Sequence, residues 1–428
     1  MAFVVRFVKG VRNHWKKSTF AAVALTYGIN YAKEYIEIQQ LMHEYCVKAA
    51  TYGNEPILPN ENPRNVTIIL NPNANKRKAA KEFEKYCAPI LHLAGICVDI
   101  VQTESEGHAK KLMEELKSTD AVVVAGGDGT LSEVVTGLLR IHGVNNVNLP
   151  IGVLPLGKSN TIGKSLFPGG EHLTQVRSLA DASMAVIERF TRPIDVMKIE
   201  IIDDEESQGK AVYAVSAVEW GAYRDAQAKK DKYWYFGPFR NYVTYIFNGY
   251  KDSLNWNCQA NINYTLPCEG CIHCIKNNQN QVGGTRWYHK FLPYRTRKQA
   301  TVTRVNDKCQ EIHEKEISTL DLSLATTNTL TSLHDLPKLQ LNLGPDSIDY
   351  LDFVKQGWES ENGKSRNMTE VIEAKQIEIK PTVISSDENE KWFSIDKEDF
   401  EVKPVRITLL PKAVQMFCKK SNSVNVAM

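Results

Sequence analysis

Ala121-Val122-Val123-Val124-Ala125-Gly126-Gly127-Asp128-Gly129-Thr130 passes from an unbroken apolar run into a glycine-rich turn, and Leu131-Ser132-Glu133-Val134-Val135-Thr136-Gly137-Leu138-Leu139 follows with helical spacing. An apolar run without polar alternation predicts a strand covered on both faces, as in a parallel sheet. Glycines at such an elbow remove the Cβ atoms that would keep a phosphate from backbone N–H groups, and the helix N-terminus behind them favours negative charge. A carboxylate beside bound phosphates is repelled unless it meets a metal or a substrate hydroxyl. Asp128 therefore reads as a catalytic base or a Mg²⁺ contact, two roles the sequence does not separate. The simpler alternative is an ordinary tight turn.

Working outward, Val66 to Leu70, Cys97 to Val101 and Pro150 to Leu154 are further strand-like runs, and Lys78 to Leu93, Gly107 to Leu116 and Leu173 to Glu188 carry helical patterns. Alternation of this kind predicts an α/β domain with a parallel sheet over residues 61–195. Beyond Pro193 the apolar segments shorten and alternate: Val196 to Ile202, Ala211 to Val218, Ser318 to Ala325, Gln376 to Ile379, Trp392 to Ile395 and Val405 to Leu410. They predict an antiparallel β domain over residues 196–418, interrupted by one aromatic helical stretch, Tyr223 to Gly249, and by a polar insert at about 258–315.

At 428 residues, 43% hydrophobic and 24% charged, the chain has ordinary globular composition, and Lys+Arg 52 against Asp+Glu 50 gives no polyelectrolyte character that would point to nucleic acid. The charge asymmetry is local. Met1 to Lys33 has no acidic residue, and Arg6, Lys9, Arg12, Lys16 and Lys17 stand among apolar residues in the manner of a mitochondrial address. Ser18 to Tyr31 is mostly apolar yet short of the ~20 residues of a spanning helix, so residues 1–60 read as a targeting segment, a membrane-associated helix and a Pro-rich linker from Thr51 to Arg64. A packed helix of a soluble domain is the competing reading. Nine cysteines at scattered spacings give no disulfide framework. In Cys268-Glu269-Gly270-Cys271-Ile272-His273-Cys274, overlapping C-x-x-C steps and His273 offer zinc ligands, with Cys258 or Cys309 as the available helpers; incidental thiols in a polar insert are the blander and preferred expectation.

Three strand-end loops, Asn71-Pro72-Asn73-Ala74, Gly126 to Thr130 and Gly157-Lys158-Ser159-Asn160, converge at one edge of such a sheet, where open α/β sheets bind ligands. Their order, with alternating β segments downstream, resembles the diacylglycerol kinase catalytic-domain superfamily over about Val66 to Leu410. The segments Arg12 to Lys17, Ala88-Pro89-Ile90-Leu91-His92-Leu93 and Lys232-Tyr233-Trp234-Tyr235-Phe236-Gly237-Pro238 look like its acylglycerol kinase branch. The resemblance implies an α/β nucleotide-binding domain followed by an antiparallel β-sandwich lipid domain, with ATP between them and Mg²⁺ as cofactor. By the same resemblance Asn71 contacts the nucleotide, Gly126, Gly127, Gly129 and Thr130 the phosphates, and Gly157 and Asn160 the adenosine side. Lys158 and Ser159 depart from the superfamily pattern. Asp225 matches the position that holds a lipid head group in sphingosine kinases, with an ion pair to Arg224 as the alternative. Asp396-Lys397-Glu398 resembles the family's Asp-Gly-Glu segment, with Lys397 in place of the glycine, and makes Asp396 and Glu398 catalytic or metal-linked candidates beside a plain charged turn.

The implied activity is ATP-dependent phosphorylation of monoacylglycerol and diacylglycerol to lysophosphatidic and phosphatidic acid, with ceramide as a lesser substrate. The resemblance also implies a place at the mitochondrial inner membrane, facing the intermembrane space, and a role as a subunit of the carrier translocase, which stands as a non-catalytic alternative. An NAD kinase shares the glycine elbow but gives no reason for the N-terminal segment.

Overall fold

The computed structural model describes residues 14–56, 62–116, 118–143, 149–169, 172–202, 211–249, 258–268, 271, 306–329, 336–382 and 392–420. Strands β1 (Asn65–Leu70), β2 (Cys97–Gln102), β3 (Ala121–Gly126) and β4 (Ile151–Pro155) are parallel in the order β2-β1-β3-β4. In register, Ile68 lies opposite Val123, and Val123 opposite Gly152. All of β3 and β4 is buried, as unbroken apolar runs require when helices cover both sheet faces. The edge strand β2 is largely exposed. Helices Asp128–His142 and His172–Glu188 bury their apolar residues in the core formed with this sheet.

A helix of 39 residues, Trp15–Gly53, precedes the sheet. Its C-terminal half is docked: Ile38, Leu41 and Ala49 are buried, Tyr45 Oη donates to Asp181 at 2.6 Å, and Lys48 pairs with Glu188. A Cβ at Gly53 would lie 2.1 Å from the Leu93 carbonyl oxygen, so only glycine lets the helix end so close to Ala88–Leu93. The helix thus occupies the start of the expected linker. Its first half stands clear, with Phe20, Val23, Leu25, Tyr27 and Ile29 exposed. No described helix is long and apolar enough to cross a membrane.

The antiparallel part comprises β5 (Thr191–Ile201), β6 (Val212–Ala214), β7 (Ala217–Gly221), β8 (Cys258–Thr265), β9 (Ile312–Thr319), β10 (Asp321–Thr326), β11 (Leu339–Leu343), β12 (Glu370–Ala374), β13 (Gln376–Pro381), β14 (Trp392–Ile395), β15 (Glu398–Glu401) and β16 (Val405–Phe417). One sheet, β12-β11-β10-β7-β14-β15, stands alone. The other strands extend the parallel sheet through β16, whose Met416 pairs with Ile151 of β4. The two sheets face each other over a second core that includes Trp220, Leu322, Leu341, Ile377 and Ile407, with the Trp220 ring edge-on to Phe393 at 5.3 Å.

Several boundaries differ from the sequence expectation for identifiable reasons. Val405 to Leu410 is only the first half of β16: its pairing with β5 shifts between Leu410 and Val414, and this bulge accommodates Pro411, which has no N–H to give a ladder. Ser318 to Ala325 is two strands in different sheets, β9 and β10. The ends of the expected insert are also strands, since β8 pairs with β9. Tyr223 to Gly249 is two helices, Ala222–Ala228 and Arg240–Gly249, around a 3₁₀ segment, Lys229–Phe239, bent at Gly237 (φ 57°) and containing Pro238. Helix Tyr350–Glu361 was not expected. It closes a third small core with Tyr223, Tyr245 and Phe353, where a Cβ at Gly357 would sit 2.5 Å from the Tyr245 ring.

Candidate active site

The loops after β1, β3 and β4 meet at the carboxyl edge of the parallel sheet and are held to one another by direct contacts. Asn71 donates from Nδ2 to Thr130 Oγ1 at 3.1 Å, and its Oδ1 accepts from the Asn73 N–H at 3.0 Å. The Asp128 N–H donates to the Ser159 carbonyl at 3.1 Å. The glycines make this meeting possible. A Cβ at Gly157 would be 2.2 Å from Gly127 Cα, one at Gly127 would be 2.9 Å from the Ser159 oxygen, and one at Gly126 would be 2.9 Å from Thr130 Oγ1. Phosphate access alone, the reason taken from the sequence, understates their role: they are first required for loop-on-loop packing. At Gly129 the neighbour is Glu398, whose Oε1 would lie 2.6 Å from a Cβ.

Asp128 is the first residue of its helix and is 3% exposed. Its carboxylate accepts from the Thr161 N–H at 2.8 and 3.0 Å and from Thr161 Oγ1 at 2.9 Å, so it caps helix Thr161–Leu166 and ties the second loop to the third. Burial pushes its pKa up, while Thr161 and the Lys397 charge hold it down. Asn160 is turned inward: Oδ1 accepts from the Gly157 N–H at 3.0 Å and Nδ2 donates to the Gly157 carbonyl at 2.8 Å. Its amide braces its own loop and is absent from the cleft lining, in contrast to the expected adenosine-side contact.

The β14–β15 turn brings the late acidic residues to the same place from the sandwich. Asp396 (φ 49°) and Lys397 (φ 72°) both take the left-handed conformation that the family's glycine would adopt without strain. The buried Asp396 carboxylate accepts from the Val215, Ser216 and Ala217 N–H groups at 2.7, 2.8 and 3.0 Å. Burial pushes its pKa up to about 6 despite those amides. Asp396, expected as a catalytic or metal-linked group, is absent from the cleft lining; its oxygens accept the three amides and shape the turn that presents Glu398. The Glu398 side chain lines the cleft and has no hydrogen-bond partner among the described residues. Burial, then the negative charges of Glu133, Glu106 and Asp396, push it to about 7. Glu133 is itself engaged by the Gly107 and Ala109 N–H groups at 2.8 and 3.0 Å. A set of hard oxygen donors with one unpaired member and mutual repulsion has the chemistry that suits Mg²⁺.

The resulting cleft has a volume of about 690 Å³ and is lined by all three loops, Glu106, Glu133, Trp234, Arg240, Lys397 and Glu398. That is within the usual range for a small-molecule or cofactor site. A second cleft of about 320 Å³ adjoins it through Lys158, Ser159 and Lys397, and is lined also by Glu219, Arg224, Lys230 and Glu361. In Glu219, burial is outweighed by Lys397, so its pKa is lowered. Asp225, expected at a substrate hydroxyl, is absent from both linings; it accepts from Arg224 Nη1 at 2.8 Å while Nη2 of the same guanidinium pairs with Asp399. Arg224 is the member of this pair that reaches the second cleft.

Lys76, Glu133 and Arg240 are cleft residues the sequence did not single out. Lys76 sits in the run Asn75, Lys76, Arg77, with φ of 48°, 56° and 65°. Three consecutive left-handed residues without glycine cost about 1–2 kcal/mol each, a strain concentrated where the loop borders the cleft. Basic residues next to Asn71-Pro72 were the available signal. Arg240 lies after Pro238, in a stretch whose most visible feature in the sequence is its aromatic content.

A parallel α/β sheet continued into a β-sandwich, with a glycine elbow and carboxylates at the junction, is the architecture expected of a kinase of the diacylglycerol kinase type. The diacylglycerol kinase catalytic domain model matches residues 65–199, and the acylglycerol kinase C-terminal model matches residues 215–427. The chain is 35% identical to "Acylglycerol kinase, mitochondrial" of Xenopus laevis over 98% of this chain and 96% of the relative, and 36% identical to its Homo sapiens counterpart over 96% of each. The solved structure of "A putative diacylglycerol kinase from Bacillus anthracis str. Sterne" shares the fold, with a TM-score of 0.50 at 17% identity over 84% of this chain and 98% of that one. The chain belongs to the acylglycerol kinase family, whose members are lipid kinases.

Proposed function

We propose that the chain transfers the γ-phosphoryl group of ATP, with Mg²⁺, to the free hydroxyl of monoacylglycerol and diacylglycerol, with ceramide as a lesser acceptor. The observation that carries this reading is the pair of adjoining clefts: the larger is built from strand-end loops suited to a nucleotide, and the smaller opens from it into the sandwich. Asn71, Gly126, Gly127, Gly129, Thr130 and Gly157 form the nucleotide side. Lys76, Lys158 and Arg240 add positive charge for the phosphates. Asn160 keeps the third loop in shape.

Asp128 takes the acceptor's proton or orients its hydroxyl, and its Thr161 hydrogen bonds fix the carboxylate for that task. Glu398, with Glu106 and Glu133, supplies oxygens that would hold Mg²⁺, and Asp128 is its further candidate contact. The metal would neutralise phosphate charge when bound. Arg224 in the second cleft, held by Asp225, meets the polar part of the lipid.

The exposed first half of helix Trp15–Gly53 lies on a membrane. The relatives' printed names and the basic N-terminal sequence support a mitochondrial address, and the inner membrane with the site facing the intermembrane space is the finer assignment. The same projecting helix is the surface available for a carrier-translocase subunit role. In domain terms, residues 61–195 carry the nucleotide side and 196–418 the lipid side, with β16 returning to the first sheet.

Label transfer from [γ-³²P]ATP to monoacylglycerol, diacylglycerol, ceramide and NAD, with wild type and folded Asp128→Asn, tests the reading. Label on acylglycerol that is lost in the variant supports it; label on NAD alone, or none on any acceptor, overturns it. Carrier import restored by Asp128→Asn would separate the assembly role from catalysis.

A further inference from the structure

Cys268 and Cys271 follow β8 and Cys309 precedes β9, yet their three sulfur atoms lie within 4.8 Å of one another. Thr265 and Ile312 are the last paired residues of the two strands, so Cys268 and Cys309 each stand three positions beyond the same end of the ladder. The convergence joins two segments far apart in sequence, as a two-knuckle metal site does. Cys271 is 1% exposed and Cys309 7% exposed, and none of the three is in a disulfide.

The surroundings are built to hold this arrangement. Asn306 caps the 3₁₀ turn Asp307–Gln310 by accepting from the Lys308 N–H at 3.2 Å, and its carbonyl accepts from the Cys309 N–H at 3.3 Å. The same side chain donates from Nδ2 to Cys268 Sγ at 3.6 Å. One asparagine thereby fixes the turn that delivers Cys309 and donates toward the sulfur of the opposite segment. Such donors to a ligating sulfur orient it and offset its negative charge.

We propose that Cys268, Cys271 and Cys309 ligate a structural Zn²⁺ ion that clamps both ends of the β8–β9 connection. In tetrahedral zinc sites with Zn–S of about 2.3 Å the sulfurs stand about 3.8 Å apart, so three thiols already within 4.8 Å need only a small closure. Binding converts three S–H groups to thiolates and releases their protons to solvent, with no change of oxidation state. The three thiolates account for three of the four positions of a tetrahedral site. His273 and Cys274, the other ligand types in this stretch, lie outside the described residues. The site is separate from both clefts, none of whose lining residues it shares.

The proposal departs from the preference for incidental thiols because the C-x-x-C pair is visible in the sequence, but the partner that turns it into a cluster arrives through the β8–β9 pairing. Metal analysis of the purified full-length protein, prepared without chelator, should find about one zinc per chain. The metal should be lost in Cys309→Ser and in Cys268→Ser and kept in Cys97→Ser, whose parent thiol is exposed on the edge strand. Replacing the ion with Co²⁺ in wild type should give the intense near-ultraviolet sulfur-to-cobalt absorption of a thiolate site, a readout that does not depend on whether a variant folds. Absence of zinc together with absence of that absorption in folded wild type overturns the proposal. So does zinc retained undiminished in Cys309→Ser, or a disulfide among the three found by mass spectrometry of the protein purified under native conditions.

Discussion

The elbow after β3 and the turn between β14 and β15 both deliver carboxylates to one cleft, but they are made in opposite ways. At the elbow the acid starts a helix and serves a neighbouring loop through Thr161, so its position follows from a short continuous stretch of chain. At the β14–β15 turn, the first acid is consumed by three amides between β6 and β7 and only the second, Glu398, faces the cleft unpaired. The lesson is that neighbouring acids in sequence divide the work: one is spent on architecture so that the other can stay unpartnered. In the elbow a single residue, Asp128, both accepts from Thr161 and lines the cleft.

The largest effect should come from breaking the elbow's double role. Asp128→Asn keeps an acceptor for the Thr161 N–H but cannot take a proton, so acylglycerol phosphorylation should fall about 10²–10⁴-fold with little loss of thermal stability. Asp128→Ala should lose activity to a similar degree and a further ~1 kcal/mol of stability through the missing cap. Initial rates and melting curves of the two variants separate these contributions; equal melting losses would show that the Thr161 contacts do not matter.

Asp396 should behave in the reverse order. Asp396→Ala leaves three inward amides without an acceptor, and at about 1–3 kcal/mol for each unsatisfied group the expected destabilisation is about 3 kcal/mol or more. Activity should then fail through unfolding or displacement of Glu398. Denaturant titration beside single-turnover kinetics checks this, and a stable but inactive Asp396→Ala would instead make Asp396 a direct participant. Gly157→Ala comes next. The added methyl would meet Gly127 Cα at 2.2 Å, where only backbone is available to yield, and overpacking of this kind costs about 1–3 kcal/mol. Its nucleotide affinity should fall together with its melting temperature.

The same contrast explains what was legible before the structure. β1, β3 and β4 are read directly from apolar runs, because a parallel strand buried on both faces carries its signal within its own residues. The sandwich is defined by pairings between distant segments, and β11, β12 and β15 passed unnoticed because short half-exposed strands are weak patterns alone. Helix Tyr350–Glu361 was hidden for a related reason: it contains Gly357, which only tertiary contact with Tyr245 explains. In the site, the sequence spacing is enough to bring Asp128, Gly127, Gly129 and Gly157 to one cleft. Which of Asp396 and Glu398 faces the cleft depends on the β6–β7 amides, and Asn160's inward turn depends on its loop closing upon itself, so neither was readable from residue type.

The smallest effect, and the one that most sharpens the contrast between the two turns, concerns the acid left unpaired. Glu398 has a pKa near 7 in the fold against 4.5 for an ordinary glutamate, so between these values the native state binds the extra proton. The stability that proton confers is complete below about pH 4.5 and is lost as the pH rises through 7. Glu398→Gln removes the cost of holding a charged carboxylate among Glu133, Glu106 and Asp396. Because the group is only partly buried, the variant should be more stable than wild type by about 1 kcal/mol at pH 8 and nearly equal to it at pH 4.5. Mg²⁺ at pH 8 should raise the melting temperature of wild type and leave Glu398→Gln nearly unmoved, since a bound cation offsets the same repulsion that the substitution abolishes. If both proteins respond to Mg²⁺ alike, the ion is held elsewhere at the elbow, with Asp128 as the next group to substitute.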